Sequence, residues 1–148
     1  MDADTLDPKA LARACAAAMW ADDAASQALG MLLGEVGPGC ATITMTVAAH
    51  MTNGHGMCHG GFIFTLADSA FAFACNSRNE RAVAAQGAIS FLAPAQRGEV
   101  LRAAANERSL LGRNGIYDVR VTGTDGRMIA EFRGHSRTLG RKFFEEAG

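Results

Sequence analysis

The chain has 148 residues, 49% hydrophobic and 20% charged, with a formal charge of −1, which suits a single globular domain over 1–148 with a core of its own. Near-neutrality argues against a nucleic-acid partner, which calls for a strongly basic face. It also leaves no electrostatic draw towards an anionic membrane.

The first residues, MDADTLDPKA, are acidic where a secretory leader is basic. Cys15, Cys40, Cys58 and Cys75 include no C-x-x-C pair. Both features predict a cytoplasmic protein with free thiols. Asp7-Pro8 has the form of an N-cap followed by proline at the first helical position. Leu11, Cys15, Ala18, Met19 and Asp22 continue it as a weakly amphipathic helix over about residues 8–29. GPGC (37–40) is a turn. In ATITMTVAA, Ile43, Met45 and Val47 alternate with Thr42, Thr44 and Thr46, as in a strand with one buried face.

A glycine-rich loop leads into Gly60–Ser77, apolar or small apart from Thr65, Asp68, Ser69, Asn76 and Ser77. As a membrane span this segment would carry Asp68 at its centre, at a cost of about 2.5–3.5 kcal/mol. A helix buried on most sides by protein accounts for it better. AAQGAISFLAP reads as a strand stopped near Pro94. Asn114-Gly115 and Asp125-Gly126 mark two hairpins, giving strands near 98–111, 115–123 and 127–138. The terminal RKFFEEAG reads as a loosely held tail. The outline is α+β: a helix, a strand, one long buried helix and four strands, with the core over about 30–140. An antiparallel sheet wrapped around that helix would explain its apolar surface.

Asp68 poses the functional question, since an unpartnered carboxylate in an apolar run costs several kcal/mol and a mid-helix position offers no free N–H. Upstream, His59-Gly60-Gly61 opens the same helix, where unpaired N–H groups and the positive end of the dipole can hold a developing oxyanion. Two glycines that merely end a loop are the plainer alternative. Eight residues separate Gly60 from Asp68, about 12 Å along a helix, too far for both to act on one reacting carbonyl. Two copies with these helices antiparallel bring each Asp68 to the other's Gly60, which points to a homodimer with two shared sites. A structural Asp68 bonded to serine or threonine hydroxyls is the alternative.

Asn53 is suited to hydrogen-bond a carbonyl or a water, or simply to form an Asn-Gly turn. His50, His55, Cys58 and His59 have metal-ligand spacing, but no second ligand cluster follows, so no metal is expected. Cys58 and His59, being adjacent in sequence, are poorly disposed as a nucleophile pair. Arg113 and Arg137, among the late basic residues Arg108, Arg133, Arg141 and Lys142, can bind phosphate, although a solvated face explains most of this group.

NGHGMCHGG followed by FTLADSAFAFACNS, with FLAPAQRGE, GIYDV and FRGHSR, resembles the hotdog-fold acyl-CoA thioesterases, most closely the phenylacetic-acid-degradation type, over roughly 30–140. The resemblance implies a curved antiparallel sheet around a long helix, dimers made by joining sheets, and dimers paired into tetramers. It implies Asp68 as general base or nucleophile, Gly60 polarising the thioester carbonyl, and Asn53 and His59 beside it. Gly61 at the helix start and the basic Arg113 and Arg137 are the substrate-binding candidates of the sequence. The substrate would be an aryl-acetyl-CoA such as phenylacetyl-CoA or a ring-hydroxylated form. Coenzyme A belongs to that substrate, and no separate cofactor is implied. Phe62, Phe64, Leu66, Phe71 and Phe91 are candidate walls for a flat acyl group. Many relatives carry a serine or threonine on the strand after the helix, where this chain has Ala84, Ala85 and Gln86. A thioesterase of other acyl specificity, a CoA-ester hydratase and a non-catalytic acyl-CoA sensor are the competing classes.

Overall fold

The computed structural model describes residues 3–145. A short 3-10 turn over Ala3–Thr5 precedes α1 (Pro8–Asp22), and α2 spans Ala24–Ala28. The expected single N-terminal helix is therefore two. Asp23 leaves helical geometry at ψ 78°, and its carboxylate caps the second helix by accepting from the Ser26 N–H and hydroxyl at 3.0 and 2.7 Å. An aspartate ahead of Ala-Ala-Ser favours such a cap over helix continuation.

Next come β1 (Leu32–Gly37), β2 (Cys40–Thr46), a 3-10 turn over Ala49–Met51, α3 (Gly60–Cys75), β3 (Ala82–Phe91), β4 (Val100–Leu111), β5 (Asn114–Thr122) and β6 (Met128–Thr138). They form one antiparallel sheet in the order β1-β2-β4-β5-β6-β3. β1 is absent from the sequence outline. Its LLGEVG has no clean alternation, it is bulged between Leu33 and Val36, and a side chain at Gly34 would meet Thr42 Oγ1 at 2.6 Å. The turn at 37–40 closes the β1–β2 hairpin.

The β4–β5 turn is a second correction. Leu111 pairs with Asn114, so Gly112 and Arg113 make the turn, with Gly112 at φ +59°. Asn114-Gly115 lies just inside β5, where Gly115 makes room for Ser136 Oγ and the Tyr117 ring. Gly126, at φ +84°, does form the β5–β6 turn.

α3 lies against β2, β4 and β5. Ile43, Met45, Leu101, Val119, Val121 and Phe132 meet Leu66, Phe71 and Phe73 in the core. The Phe71 ring occupies the place a side chain would take at Gly134, 2.8 Å away. Burial of such a ring contributes about 1.5–3 kcal/mol. Tyr117, also buried, donates to Glu107 Oε1 at 2.9 Å, and Glu107 is ion-paired with Arg78. The four cysteines are free thiols.

The tail is not loosely held as far as it is described. Asn79, at φ +59°, accepts from the Phe143 and Phe144 N–H groups at 3.0 and 2.9 Å, and the Arg81 guanidinium lies 4.2 Å over the Phe143 ring. Residues 146–148 lie outside the described residues. No described helix is long and apolar enough to cross a membrane.

Candidate active site

The loop ahead of α3 is braced by Asn53. Its side-chain oxygen accepts from His55 N at 2.9 Å and Met57 N at 3.2 Å, and its own N–H donates to the Met57 carbonyl at 2.8 Å. These bonds occupy the oxygen and leave the amide Nδ2 as the group Asn53 can offer a ligand. The loop's far end is fixed by Cys58 N to Ala95 O (2.8 Å) and His59 N to Met51 O (2.7 Å).

His59 is the N-cap of α3, with Nδ1 accepting from the Gly61 N–H at 3.1 Å. This bond holds His59 as the tautomer that carries its proton on Nε2, and it leaves Gly61 no free N–H to give a substrate. The Gly60 N–H, one residue earlier, has no acceptor among the described residues. Gly60 itself lines a cleft of about 480 Å³ whose walls include Asn53, Cys58, Ile63, Phe91 and Leu92. The positive end of the α3 dipole therefore faces an apolar, open cavity with one unspent backbone donor.

Asp68 is half-buried, and among the described residues it has no hydrogen-bond or ion-pair partner. The nearby hydroxyls are engaged elsewhere: Thr65 donates to the Gly61 carbonyl at 2.8 Å, and Ser69 bonds Ser26 at 2.9 Å. A structural aspartate tied to hydroxyls is thus not the arrangement found. Burial holds the carboxyl above its ordinary pKa of 3.8. Burial also pushes the Cys75 thiol up to about 12, with the Asp68 charge adding to the effect. Gly61, Thr65, Asp68 and Ala72, spaced four, three and four, form a stripe of α3 that is incompletely covered.

In one protomer Gly60 and Asn53 come together, and Asp68 stands about 12 Å along the helix. Arg113 and Arg137 lie at the opposite end of the molecule. The Arg113 carbonyl accepts from Thr138 N at 2.9 Å, and Arg113 lines a separate cleft with Cys75 and Arg78 at the end of α3. Neither arginine is ion-paired among the described residues. Arg133 and Arg108 pair with Asp118, and Arg120 with Glu131, as on a solvated sheet face.

The aromatic candidates divide. Leu66 and Phe71 are core residues, Phe62 and Phe64 are half-buried, and Phe91 is exposed on the cleft. His50 meets the Phe62 ring edge-on, and no group of three His, Cys, Asp or Glu side chains converges among the described residues. Ala84, Ala85 and Gln86 sit at a bulge in β3, all exposed.

Sequence reasoning missed the bracket behind the cleft. Arg127 donates to both Glu99 oxygens at 2.7 Å and to the Pro94 carbonyl at 2.8 Å, fixing the segment after Phe91. Its members lie 28 and 33 positions apart, so no local spacing reveals it.

The sequence pattern of the thioesterase superfamily matches residues 55–130. The chain is 43% identical over 130 residues to the acyl-coenzyme A thioesterase PaaI of Escherichia coli, covering 88% of this chain and 93% of that one. It superposes on a structure of the Escherichia coli PaaI protein from the phenylacetic acid degradation operon with a TM-score of 0.90 and 41% identity, covering 92% and 99% of the two chains. A mutant of the phenylacetic acid degradation protein PaaI from Thermus thermophilus matches with a TM-score of 0.74 and 37% identity, over 77% and 97%. The six-stranded antiparallel sheet holding one long helix is thus the hotdog fold, and the chain belongs to the thioesterase superfamily.

Proposed function

We propose that the protein hydrolyses the thioester of an aryl-acetyl-CoA, phenylacetyl-CoA or a ring-hydroxylated form, to the free acid and coenzyme A. The acceptor-free Gly60 N–H, beside an apolar cleft that Asn53 also lines, carries this reading. The similarity to PaaI of Escherichia coli supplies the acyl class.

The thioester carbonyl oxygen accepts from the Gly60 N–H, with the Asn53 amide as a second donor. Negative charge that builds on this oxygen as the carbon becomes tetrahedral meets the positive end of α3; one such donor typically accounts for about 10²–10³ in kcat. Asp68 takes a proton from the attacking water. The carbon–sulfur bond then breaks and the proton passes to the departing thiolate, so acid and free thiol leave in equal amounts. Burial, which raises the Asp68 pKa above 3.8, makes the carboxylate a stronger base. His59 acts by capping α3 and orienting its first turn. The reaction written this way needs no metal or redox cofactor.

Because Asp68 stands too far from Gly60 within one chain, catalysis requires two copies, with the partner's Asp68 completing each site. β3 supports such a pairing: ten residues long and paired, among the described residues, with β6 alone, it presents an open edge with Val83 47% exposed. An edge of this kind invites strand pairing. Two copies joined there, with α3 helices antiparallel, turn the Asp68 stripes towards each other and bring the partner's Arg113 and Arg137 to the Gly60 end. Pairing of dimers into a tetramer and a cytoplasmic location, where free thiols persist, complete the proposal.

Thiol release from a panel of CoA esters tests it. Phenylacetyl-CoA should exceed palmitoyl-CoA in kcat/KM by about tenfold or more. Each buried methylene contributes about 0.8 kcal/mol, so a profile that rises steadily from hexanoyl to palmitoyl contradicts the aryl assignment, and no thiol release from any ester contradicts the enzyme.

A further inference from the structure

Gly60 carries an unspent backbone donor beside the cleft, and one side chain stands against its Cα. A Cβ built at Gly60 would lie 2.9 Å from Phe91 Cζ and 3.2 and 3.4 Å from its Cε atoms, so the edge of the Phe91 ring fills the place a side chain would take. Phe91 is 53% exposed and Leu92 58%, although large apolar side chains are normally withdrawn from water. The backbone beneath is fixed: Phe91 pairs with Ala130 at the end of β3, and Leu92 and Ala93 both donate to the Ile129 carbonyl, at 2.8 and 3.2 Å. The result is an aromatic ring, half exposed in the single protomer, on a hydrogen-bonded backbone against the start of α3.

We propose that Phe91 is the specificity-determining residue of the site, the wall against which the acyl group stacks; this rests on the thioesterase reading above. A carbonyl oxygen bound to the Gly60 N–H lies about 2.9 Å from that nitrogen. The carbon next to the carbonyl then falls beside the Phe91 ring, and a planar substituent one methylene out meets its face or edge at the separation aromatic pairs adopt, about 4.5–7 Å between centroids. A flexible alkyl chain gains contact there but no ring pairing, and loses chain entropy. Glycine at position 60 is then required twice: for close approach of the carbonyl and for room for the ring.

The test compares kcat/KM for phenylacetyl-CoA and hexanoyl-CoA in wild type, Phe91→Ala, Phe91→Leu, Gly60→Ala and Gly60→Ala/Phe91→Ala, with folding checked by circular dichroism and melting. Phe91 is exposed in the single protomer, so its replacement leaves the core intact; because it ends β3, the proposed joining edge, dimerisation of each variant is checked by size-exclusion chromatography. The preference for phenylacetyl-CoA should fall about tenfold in Phe91→Ala, with Phe91→Leu, which keeps bulk without a flat face, in between. Gly60→Ala keeps the N–H but displaces the ring; its loss should shrink when Phe91 is also alanine, the non-additivity expected of residues in contact. Equal losses on both esters, or a preference unchanged within about twofold, overturn the role of Phe91 and leave the enzyme standing. Wild-type protein that cleaves neither ester overturns the aryl-acetyl-CoA reading and this proposal with it.

Discussion

Gly60 and Asp68 lie on one helix, eight residues apart: the first offers a free N–H beside a cleft, and the second holds a half-buried carboxyl with no partner among the described residues. About 12 Å of helix separates them, and one reacting carbonyl spans roughly half of that.

Hybrid dimers test whether the two groups act across the subunit boundary. Asp68→Asn chains keep an intact Gly60 end, and Gly60→Pro chains, which lack the N–H and must push the Phe91 ring aside, keep an intact Asp68. Each is inactive alone. After statistical mixing, half the dimers are hybrids with one complete site of two, so activity should return to about one quarter of wild type. Absence of recovery, with chain exchange shown by mass spectrometry and Gly60→Pro shown to fold, contradicts the shared site.

Burial makes Asp68 costly to the fold. Its folded pKa is raised, so stability falls as pH rises from the unfolded value through the folded one, and the loss stands in full above it. Asp68→Asn should therefore melt above wild type at neutral pH and equal protein concentration. The gap should close below about pH 3, where the carboxyl is neutral in both states. The acidic limb of wild-type kcat/KM should likewise have its midpoint above 3.8. A variant that melts lower at neutral pH would mean that Asp68 has a stabilising partner.

β2 and α3 could be read from sequence because period and burial agree there: Ile43, Met45 and Val47 all point inward, and an apolar run with one charge has few other homes. β1 could not, because its bulge and glycines erase the alternation. Asn114-Gly115 misplaced the turn by two residues, since Gly112 supplies the positive φ and Gly115 serves packing. Asp68 and Gly60 announced themselves as local anomalies. The Phe91 ring on Gly60 and the Arg127 bracket did not, being contacts between segments about 30 residues apart, and such contacts leave no local pattern.

As a base, Asp68 never bonds to the acyl carbon. One turnover in ¹⁸O-water should label the released acid and leave Asp68 unlabelled, as read by mass spectrometry of the peptide that contains it. Label in the Asp68 carboxyl after repeated turnovers would mean attack by the carboxylate and an anhydride intermediate.

The most direct test is kcat for phenylacetyl-CoA in Asp68→Asn, followed by free-thiol release with the fold verified. The substitution preserves size and removes only the base, so kcat should fall by about 10²–10⁴. Turnover close to wild type in the folded variant would contradict a catalytic role for Asp68.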